Sequence, residues 1–237
     1  MTPHDLASII ECHVLDVYRS RYIPKHSTVV DLGAGIGEFS MLASKVIGNN
    51  GTIIAIEPSP DDFNTLTKNL KENRCNNVIP LNIAVSDHSE DLTLQFKGKR
   101  FKTKSDSLFN ILNEVDIKLE TIKFMKMDIE GAERIVIPLS LDIIGKLSYM
   151  AMEIHDSYYR ELLPIMRNLG FDFRRIRRST YLFNAVRSLA LNTKDTYKLY
   201  MKFKETGESP GMSKILRGIE ISDSDSLVVG VFKKIKV

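Results

Sequence analysis

Long apolar segments are missing from this chain, and so are the sequence features of several other protein classes. No apolar run approaches the ~20 residues that a membrane-spanning helix needs, so no membrane span is expected. Residues 1–22 mix charged with apolar side chains and lack the continuous apolar stretch of a signal peptide. The 13 glycines and 8 prolines form no repeat, which excludes collagen-like and low-complexity chains. The two cysteines, Cys12 and Cys75, make no disulfide framework, so we expect a reduced, cytoplasmic setting.

The chain also lacks a strong excess of either basic or acidic residues. The 33 basic and 30 acidic residues give a net charge of +3, which is too mild to argue for a nucleic-acid partner or to exclude one. Hydrophobic residues make up 43% of the chain and charged residues 27%, which excludes disorder of the whole chain. A length of 237 residues suits one α/β domain with an insertion.

Short β-branched runs alternate with segments whose apolar residues recur at helical spacing. Phe39, Leu42 and Ala43, for example, follow a strand pattern at positions i, i+3 and i+4. The order strand, helix, strand, helix, strand over residues 27–85 predicts a parallel sheet with helices on both faces. With the later apolar runs, the prediction is a doubly wound α/β fold with a mostly parallel, seven-stranded sheet. The predicted strands are residues 27–32, 52–57, 78–85, 122–128, 148–154, 171–176 and 227–233.

Further elements surround this sheet. Pro164 is expected to interrupt or restart one of the later helices, because proline removes a backbone donor. The polar, mixed stretch before the last strand is interpreted as an insertion. The segments concerned are an N-terminal amphipathic helix at 3–18, an antiparallel strand at 92–96 with its turn at Gly98, helices beginning at 59, 131 and 157, and the insertion at 179–226.

A glycine-rich loop follows the first predicted strand and precedes a helix. It reads Asp31-Leu-Gly33-Ala-Gly35-Ile-Gly37. Glycines at such a junction let the backbone turn sharply and approach a ligand, and the helix N-terminus favours an anionic group. The third glycine comes one residue earlier than in the dinucleotide-binding fingerprint. The spacing therefore indicates a smaller ligand than a dinucleotide, with Asp31 able to interact with a cationic amino group.

Glu57 ends the second predicted strand. In this topology, a carboxylate at that point reaches the vicinal hydroxyls of a ribose. A carboxylate that accepts two O–H groups makes charge-assisted hydrogen bonds. Because the glycine loop and Glu57 occur in one strand-turn-helix context, the sequence favours nucleoside binding over a mere tight turn.

The motifs together resemble those of S-adenosylmethionine-dependent methyltransferases, and within them the FkbM family. The first of these motifs is shared widely, whereas the stretch from Lys126 to Glu133, preceded by Ser105-Asp-Ser-Leu108, is more specific. The resemblance covers residues 27–156. The motifs are Val29–Ser40, Ile56-Glu-Pro58, Asn82–Asp87, Ser105–Leu108, Phe124–Glu133 and Glu153-Ile-His155.

We expect an N-terminal helix at residues 1–26 and a methyltransferase domain at 27–237, although the resemblance itself does not extend beyond 27–156. The resemblance implies a class I, Rossmann-like fold and S-adenosylmethionine as the cofactor. It also implies methylation of a hydroxyl or carboxyl oxygen on a small molecule, sugar or lipid-linked glycan. The implied residue roles are Asp31, Gly33 and Gly35 at the methionine part of the cofactor, Glu57 at the ribose, Asn82 and Ala84 beside the adenine, and Asp128 facing the reactive centre.

Methyl transfer to an alcohol needs a group that removes the proton. Asp128, Glu130 and His155 are the candidates, because they stand at the carboxyl ends of adjacent predicted strands. These three could also hold Mg²⁺ or Mn²⁺. Nothing in their spacing requires a metal, so a metal-free site is the preferred hypothesis.

Two other functions stay open at this stage. An RNA methyltransferase would use the same cofactor loop, and an arginine cluster could contact phosphates, although a solvated strand end explains it better. The place where RNA-base methyltransferases often carry an Asn-Pro-Pro-Tyr-like tetrapeptide reads Asp128-Ile-Glu-Gly131 here, which argues against nucleic acid. A cofactor-binding scaffold without turnover is the second alternative. The cluster consists of Arg174, Arg175, Arg177 and Arg178.

Overall fold

A twisted sheet of seven strands forms the centre of the computed structural model, which describes residues 8–14, 16–155, 158–175 and 227–235. The order of the strands across the sheet is β3-β2-β1-β7-β8-β10-β9. All neighbours pair in parallel except β10, which runs antiparallel to both β8 and β9. The predicted seven-stranded, mostly parallel fold is confirmed. The predicted insertion at 179–226 lies outside the described residues.

The strands lie close to their predicted positions. Their bounds are β1 Thr28–Leu32, β2 Thr52–Ile56, β3 Val78–Leu81, β4 Ala84–Val85, β5 Glu90–Phe96, β6 Lys99–Asp106, β7 Ile122–Met127, β8 Tyr149–His155, β9 Phe171–Arg175 and β10 Leu227–Lys234. The α-helices are α1 Glu38–Ile47, α2 Pro60–Glu72, α3 Leu108–Glu114, α4 Glu133–Leu139, α5 Leu141–Ile144 and α6 Tyr159–Asn168.

The prediction of one strand across residues 78–85 is wrong, because the chain leaves the main sheet at Asn82. The side-chain amide of Asn82 donates to the carbonyl oxygens of Glu57 at 2.8 Å and Pro58 at 3.2 Å, which holds this exit in place. β4 then pairs with β6 in a separate three-stranded sheet of order β4-β6-β5. β5 and β6 form the expected antiparallel hairpin, with Gly98 in its turn.

Helix ends follow local capping chemistry. Ser59 caps α2 by accepting from the backbone N–H of Asp62 at 3.3 Å, and Pro60 takes the first helical position. α6 continues through Pro164, so the predicted interruption at that residue is wrong. Pro164 is the sixth residue of α6, so the helix lacks one i→i−4 hydrogen bond there and still continues to Asn168. α3, which Ser107 caps, was not predicted, although Leu108, Ile111 and Leu112 carry the helical spacing.

Two apolar layers cover the two faces of the sheet. Successive strand residues point to opposite faces, so Val30 and Leu32 face one layer and Val29 faces the other. Helices α3, α4 and α6 pack on the first face, and α1 and α2 pack on the second. No helix within the described ranges combines the length and apolar character needed to cross a bilayer.

The segment before β1 packs on the second face. Its described part is helical, with a π-helical turn at Ile10–Val14, and the rest of the predicted helix at 3–7 and 15 lies outside the described residues. The helix ends before Asp16, which has a φ of +47°, and not at Tyr18 as predicted. Cys12, Val17 and Tyr18 are buried there. The segment therefore belongs to the core beside α1.

Candidate functional site

A cavity of about 370 Å³ opens where β1, β2 and β7 end. The carboxyl ends of parallel strands are the usual ligand-binding edge of such sheets. The inner face of the β5–β6 hairpin forms an apolar wall through Leu92, Leu94, Phe96 and Phe101. Of the predicted cofactor and catalytic residues, Gly33, Gly35, Glu57, Ala84, Asp128 and Glu130 line this cavity.

The glycine loop is packed too tightly for larger residues. A β-carbon on Gly33 would lie 1.8 Å from the carbonyl oxygen of Asp128. A β-carbon on Gly37 would lie 2.6 Å from Cδ1 of Leu66. Gly33 and Gly37 also have φ values of +74° and +94°, which side chains rarely tolerate. The loop therefore lies directly between β7 and α2 and leaves its backbone open towards the cavity.

Glu57 is held at the cavity by two backbone donors. Its carboxylate accepts from the N–H of Gly35 and from the N–H of Ser59, each at 2.8 Å. Burial raises the pKa of Glu57 to about 7, although these two N–H groups oppose the rise. Each carboxylate oxygen keeps a second lone pair, so this buried acceptor fits the two hydroxyls of a ribose.

Lys126 is a buried cation that the sequence analysis did not assign to the site. It is 4% exposed near the end of β7, directly opposite Asp31 of β1 in the strand register. Its ammonium lies 3.6 Å from carboxylate oxygens of both Asp31 and Asp128, and it donates to the carbonyl oxygen of Gly33 at 2.6 Å. Burial alone lowers the pKa of Lys126, but the nearby carboxylates outweigh it and raise that pKa.

Asp31 lies beneath the glycine loop and does not line the cavity. It is 0% exposed, and Ser40 donates its hydroxyl to Oδ2 at 2.6 Å. Its other oxygen, Oδ1, faces Lys126. Asp31 therefore orients Lys126 and the start of α1, and any effect on a ligand's amino group acts through these neighbours.

Asp128 stands at the end of β7 with its carboxylate partly open to the cavity. Tyr18, from the segment before β1, donates its hydroxyl to Oδ2 of Asp128 at 2.8 Å and lies 3.5 Å from an oxygen of Glu153. The ammonium of Lys126 lies 5.2 Å from the centre of the Tyr18 ring. Tyr18 was missed because nothing in a single tyrosine before the first strand indicates such a contact.

The other predicted residues differ in their placement. Ala84 is buried in the cavity wall, whereas Asn82 is exposed and does not line the cavity. Glu130 lines the cavity with a φ of +54°, an uncommon backbone conformation for a residue other than glycine. His155 ends β8, and its side chain lies outside what the structure describes.

The described side chains that could share a metal ion are not those of the predicted metal site. Among the described side chains, the groups close enough to share a metal ion are those of Asp87, His88 and Glu90, all exposed. His88 pairs with both acidic neighbours, and Asp87 first and then Glu90 raise its pKa. This arrangement is sufficiently explained as a surface ion pair.

The methyltransferase FkbM domain model matches residues 31–173, which is more than half of the chain. No curated protein matches significantly.

One of three similar solved structures supports the fold. A protein assigned as an rRNA methylase from Clostridium thermocellum is similar with a TM-score of 0.52 and 10% identity, over 98% of this chain and 95% of the other. An rRNA methylase from Streptococcus thermophilus has a TM-score of 0.49 and 10% identity over 100% and 98% of the two chains. Aeropyrum pernix fibrillarin, solved with natively bound S-adenosyl-L-methionine, has a TM-score of 0.41 and 16% identity over 64% and 60%. At these identities, the first likeness shows the fold alone.

Proposed function

Because the chain belongs to the FkbM methyltransferase family and is an S-adenosylmethionine-dependent methyltransferase, we propose that its acceptor atom is a hydroxyl or carboxyl oxygen on a small molecule, sugar or lipid-linked glycan. The carboxylate of Asp128 at the edge of the cavity supports this proposal best. An alcohol loses its proton during methylation, so a hydroxyl acceptor needs a proton acceptor nearby, whereas a carboxylate acceptor is already ionised.

Different residues of the cavity are proposed to bind different parts of the cofactor. We propose that Glu57 accepts the ribose hydroxyls, that Ala84 packs beside the adenine, and that the backbone of Gly33 and Gly35 borders the methionine part. The cofactor supplies an electrophilic methyl group on a sulfonium, so the protein has mainly to position the acceptor.

Asp128 is the proposed proton acceptor. Its Oδ2 is held by Tyr18, and its side chain is 23% exposed, so the carboxylate can meet an acceptor hydroxyl without turning into solvent. Lys126, 3.6 Å away, balances its charge and restricts its rotamer. Glu130 and His155 remain the alternative acceptors of the proton. The proposal also includes a cytoplasmic setting, since neither Cys12 nor Cys75 forms a disulfide bond.

A labelling experiment tests the class of the acceptor, and a variant of Asp128 tests the base. Incubation with methyl-labelled cofactor and separated small-molecule, glycan and RNA fractions should label a product in one of the first two. Asp128→Asn should lower kcat by about 10²- to 10⁴-fold, because the amide cannot take the proton. Its affinity for S-adenosylhomocysteine should stay within about threefold, since the amide oxygen still accepts from Tyr18.

The matched control is Glu130→Gln, which changes an exposed carboxylate at the same edge of the sheet. If Glu130→Gln abolished turnover while Asp128→Asn kept it, Asp128 would not be the base. Label found only in RNA, with binding that falls steeply with salt, would overturn the proposed acceptor class.

A further inference from the structure

Glu38, the first residue of α1, has a buried carboxylate that the proposed function does not use. The residue is 9% exposed and lines the same cavity as Glu57 and Asp128. The hydroxyl of Ser8 donates to its Oε1. Its Oε2 is buried and makes no hydrogen bond with any described residue. A buried carboxylate oxygen without a donor is destabilising unless a bound group supplies one.

Carboxyl groups outnumber cationic groups around Glu38, and burial raises the pKa of both Asp31 and Glu38. Asp31, Glu38 and Asp128 are three carboxylates around the single ammonium of Lys126. Lys126 makes its ion pairs with Asp31 and Asp128, each at 3.6 Å. Glu38 thus lacks a close cationic partner of its own among the described side chains. A ligand that carries a positive group would favour the ionised form of Glu38.

The position of Glu38 relative to Gly35 indicates which part of a ligand it would meet. Gly35 donates its N–H to Glu57, the proposed ribose acceptor. A β-carbon on Gly35 would lie 3.6 and 3.7 Å from the two carboxylate oxygens of Glu38. Glu38 and Glu57 therefore border the same residue of the loop. A nucleoside held at Glu57 would extend its tail over this loop, within reach of Glu38.

We propose that Oε2 of Glu38 accepts a hydrogen bond from the α-ammonium group of the cofactor's amino-acid tail. Glu38 then selects nucleoside ligands that carry this ammonium. The proposal rests on the proposed placement of the ribose at Glu57. A salt-bridged hydrogen bond of this kind in a buried site is stronger than one between neutral groups. The contact would supply the donor that Oε2 lacks.

A purely structural role is the competing explanation. Glu38 could simply anchor the N-terminal segment through Ser8, and a protonated carboxyl would suffice for that. The two explanations differ in what they predict for ligands with and without the amino-acid tail. A structural role changes the affinity for both ligands equally, whereas an ammonium contact changes the affinity for only one of them.

Calorimetry on the full chain separates these explanations with two probes. S-adenosylhomocysteine carries the α-ammonium without the sulfonium, and 5′-methylthioadenosine carries neither. Glu38→Gln should weaken S-adenosylhomocysteine binding by about tenfold or more, because a charge-assisted bond is lost. Its affinity for 5′-methylthioadenosine should stay within about twofold, since the nucleoside contacts are unchanged.

Ser8→Ala and Glu38→Asp are the controls. Ser8→Ala removes the hydroxyl donor and keeps the charge of Glu38, so the ratio of the two affinities should match that of the wild type. Glu38→Asp keeps the charge on a shorter side chain and should retain more selectivity for S-adenosylhomocysteine than the glutamine variant. If Glu38→Gln fails to fold, Glu38→Asp provides the test instead. If the ratio of the two affinities in Ser8→Ala differs from the ratio in the wild type, the proposal is overturned.

Equal weakening of both probes in Glu38→Gln, or no change in either, also overturns the ammonium contact. Failure of the proposed ribose placement at Glu57 would give a different result. In that case 5′-methylthioadenosine would bind the wild type and Glu57→Gln equally well, whatever Glu38 does.

Discussion

The hydroxyl of Tyr18 lies 2.8 Å from Oδ2 of Asp128, although 110 residues separate them in the chain. Tyr18 is 5% exposed, and its ring packs edge-on against Phe39 at a centroid distance of 5.7 Å. The ring is thus fixed by packing while its hydroxyl orients a carboxylate. A donor that holds Oδ2 leaves the other oxygen of Asp128 to meet the substrate.

Tyr18→Phe tests this relationship. The variant keeps the ring and removes the donor, so kcat should fall while KM for the cofactor changes little. Stability should drop by about 1 kcal/mol, the usual value for a lost hydrogen bond. Steady-state kinetics and urea unfolding measure both effects. Tyr22→Phe is the matched control, because the Tyr22 ring stacks on Tyr149 at 5.0 Å and its hydroxyl makes no hydrogen bond with any described residue. Equal losses of kcat in both variants would refute a specific role for Tyr18.

Cofactor affinity should depend on the ionisation of Glu57. Because burial raises the pKa of Glu57 to about 7, its carboxylate is largely protonated at pH 6 and largely ionised at pH 8. The ionised form accepts hydroxyl groups more strongly. S-adenosylhomocysteine should therefore bind more tightly at pH 8 than at pH 6, and Glu57→Gln should reduce this dependence. Calorimetry at several pH values measures it, and an unchanged slope in the variant would count against the ribose role.

The same group should make the ligand-free protein less stable as the pH rises. A carboxyl whose pKa is higher in the folded than in the unfolded state stabilises the fold fully below about 4.5, and this contribution is lost as the pH rises through about 7. The loss amounts to about 3 kcal/mol. Chemical unfolding at pH 5 and pH 8 should show a smaller drop for Glu57→Gln than for the wild type. A larger drop in the variant would contradict the raised pKa.

Removing Lys126 should leave Asp31 as an unpaired buried charge. Lys126→Met is expected to destabilise the protein by about 3–5 kcal/mol, the usual cost of breaking a buried ion pair. Adding Asp31→Asn should restore part of this loss, because the stranded charge disappears. Lys146→Met, which breaks the exposed pair with Glu120 at 3.2 Å, should cost less than about 1 kcal/mol. Additive losses in the double variant would show that the two residues are not coupled.

Gly33→Ala should damage the site far more than the same change in an open turn. Its new methyl group would fall 1.8 Å from the carbonyl oxygen of Asp128, so β7 and the loop would have to separate. We expect a loss of about 3 kcal/mol or more, together with weaker cofactor binding. Gly98→Ala has a similar φ of +75° with no atom within 4 Å of the new carbon, and should cost only about 1–2 kcal/mol of backbone strain. Similar melting temperatures for the two variants would contradict the close approach.

The sequence predicted the sheet and the cofactor loop because both depend on local patterns. β-branched runs, the Ser59 cap and the glycine spacing each act within a few residues. The exit of the chain at Asn82 was not predictable in this way, since it depends on hydrogen bonds to the loop after β2. Helix α3 was overlooked although Ser107 and the leucine spacing were available.

The residues of the site, like the elements of the fold, were predictable only where local sequence patterns place them. Glu57 and Asp128 could be placed because each ends a strand whose position is known from the pattern. Lys126 was visible as a charge within an apolar strand, but its role depends on the register that sets it opposite Asp31. The contact of Tyr18 with Asp128 could not be inferred at all, because the two residues meet only through the tertiary packing of the N-terminal segment.

The position of Tyr18 has a practical consequence for anyone expressing this enzyme. The family match begins at residue 31. A fragment trimmed only at its N-terminus, to begin at residue 27 just before β1, would retain every strand of the sheet, the glycine loop, Glu57 and Asp128. It would also discard the phenol that orients Asp128 and the serine that binds Glu38. Weak turnover from such a fragment would reflect the loss of the residues before β1 and would say nothing about the acceptor chosen for the assay.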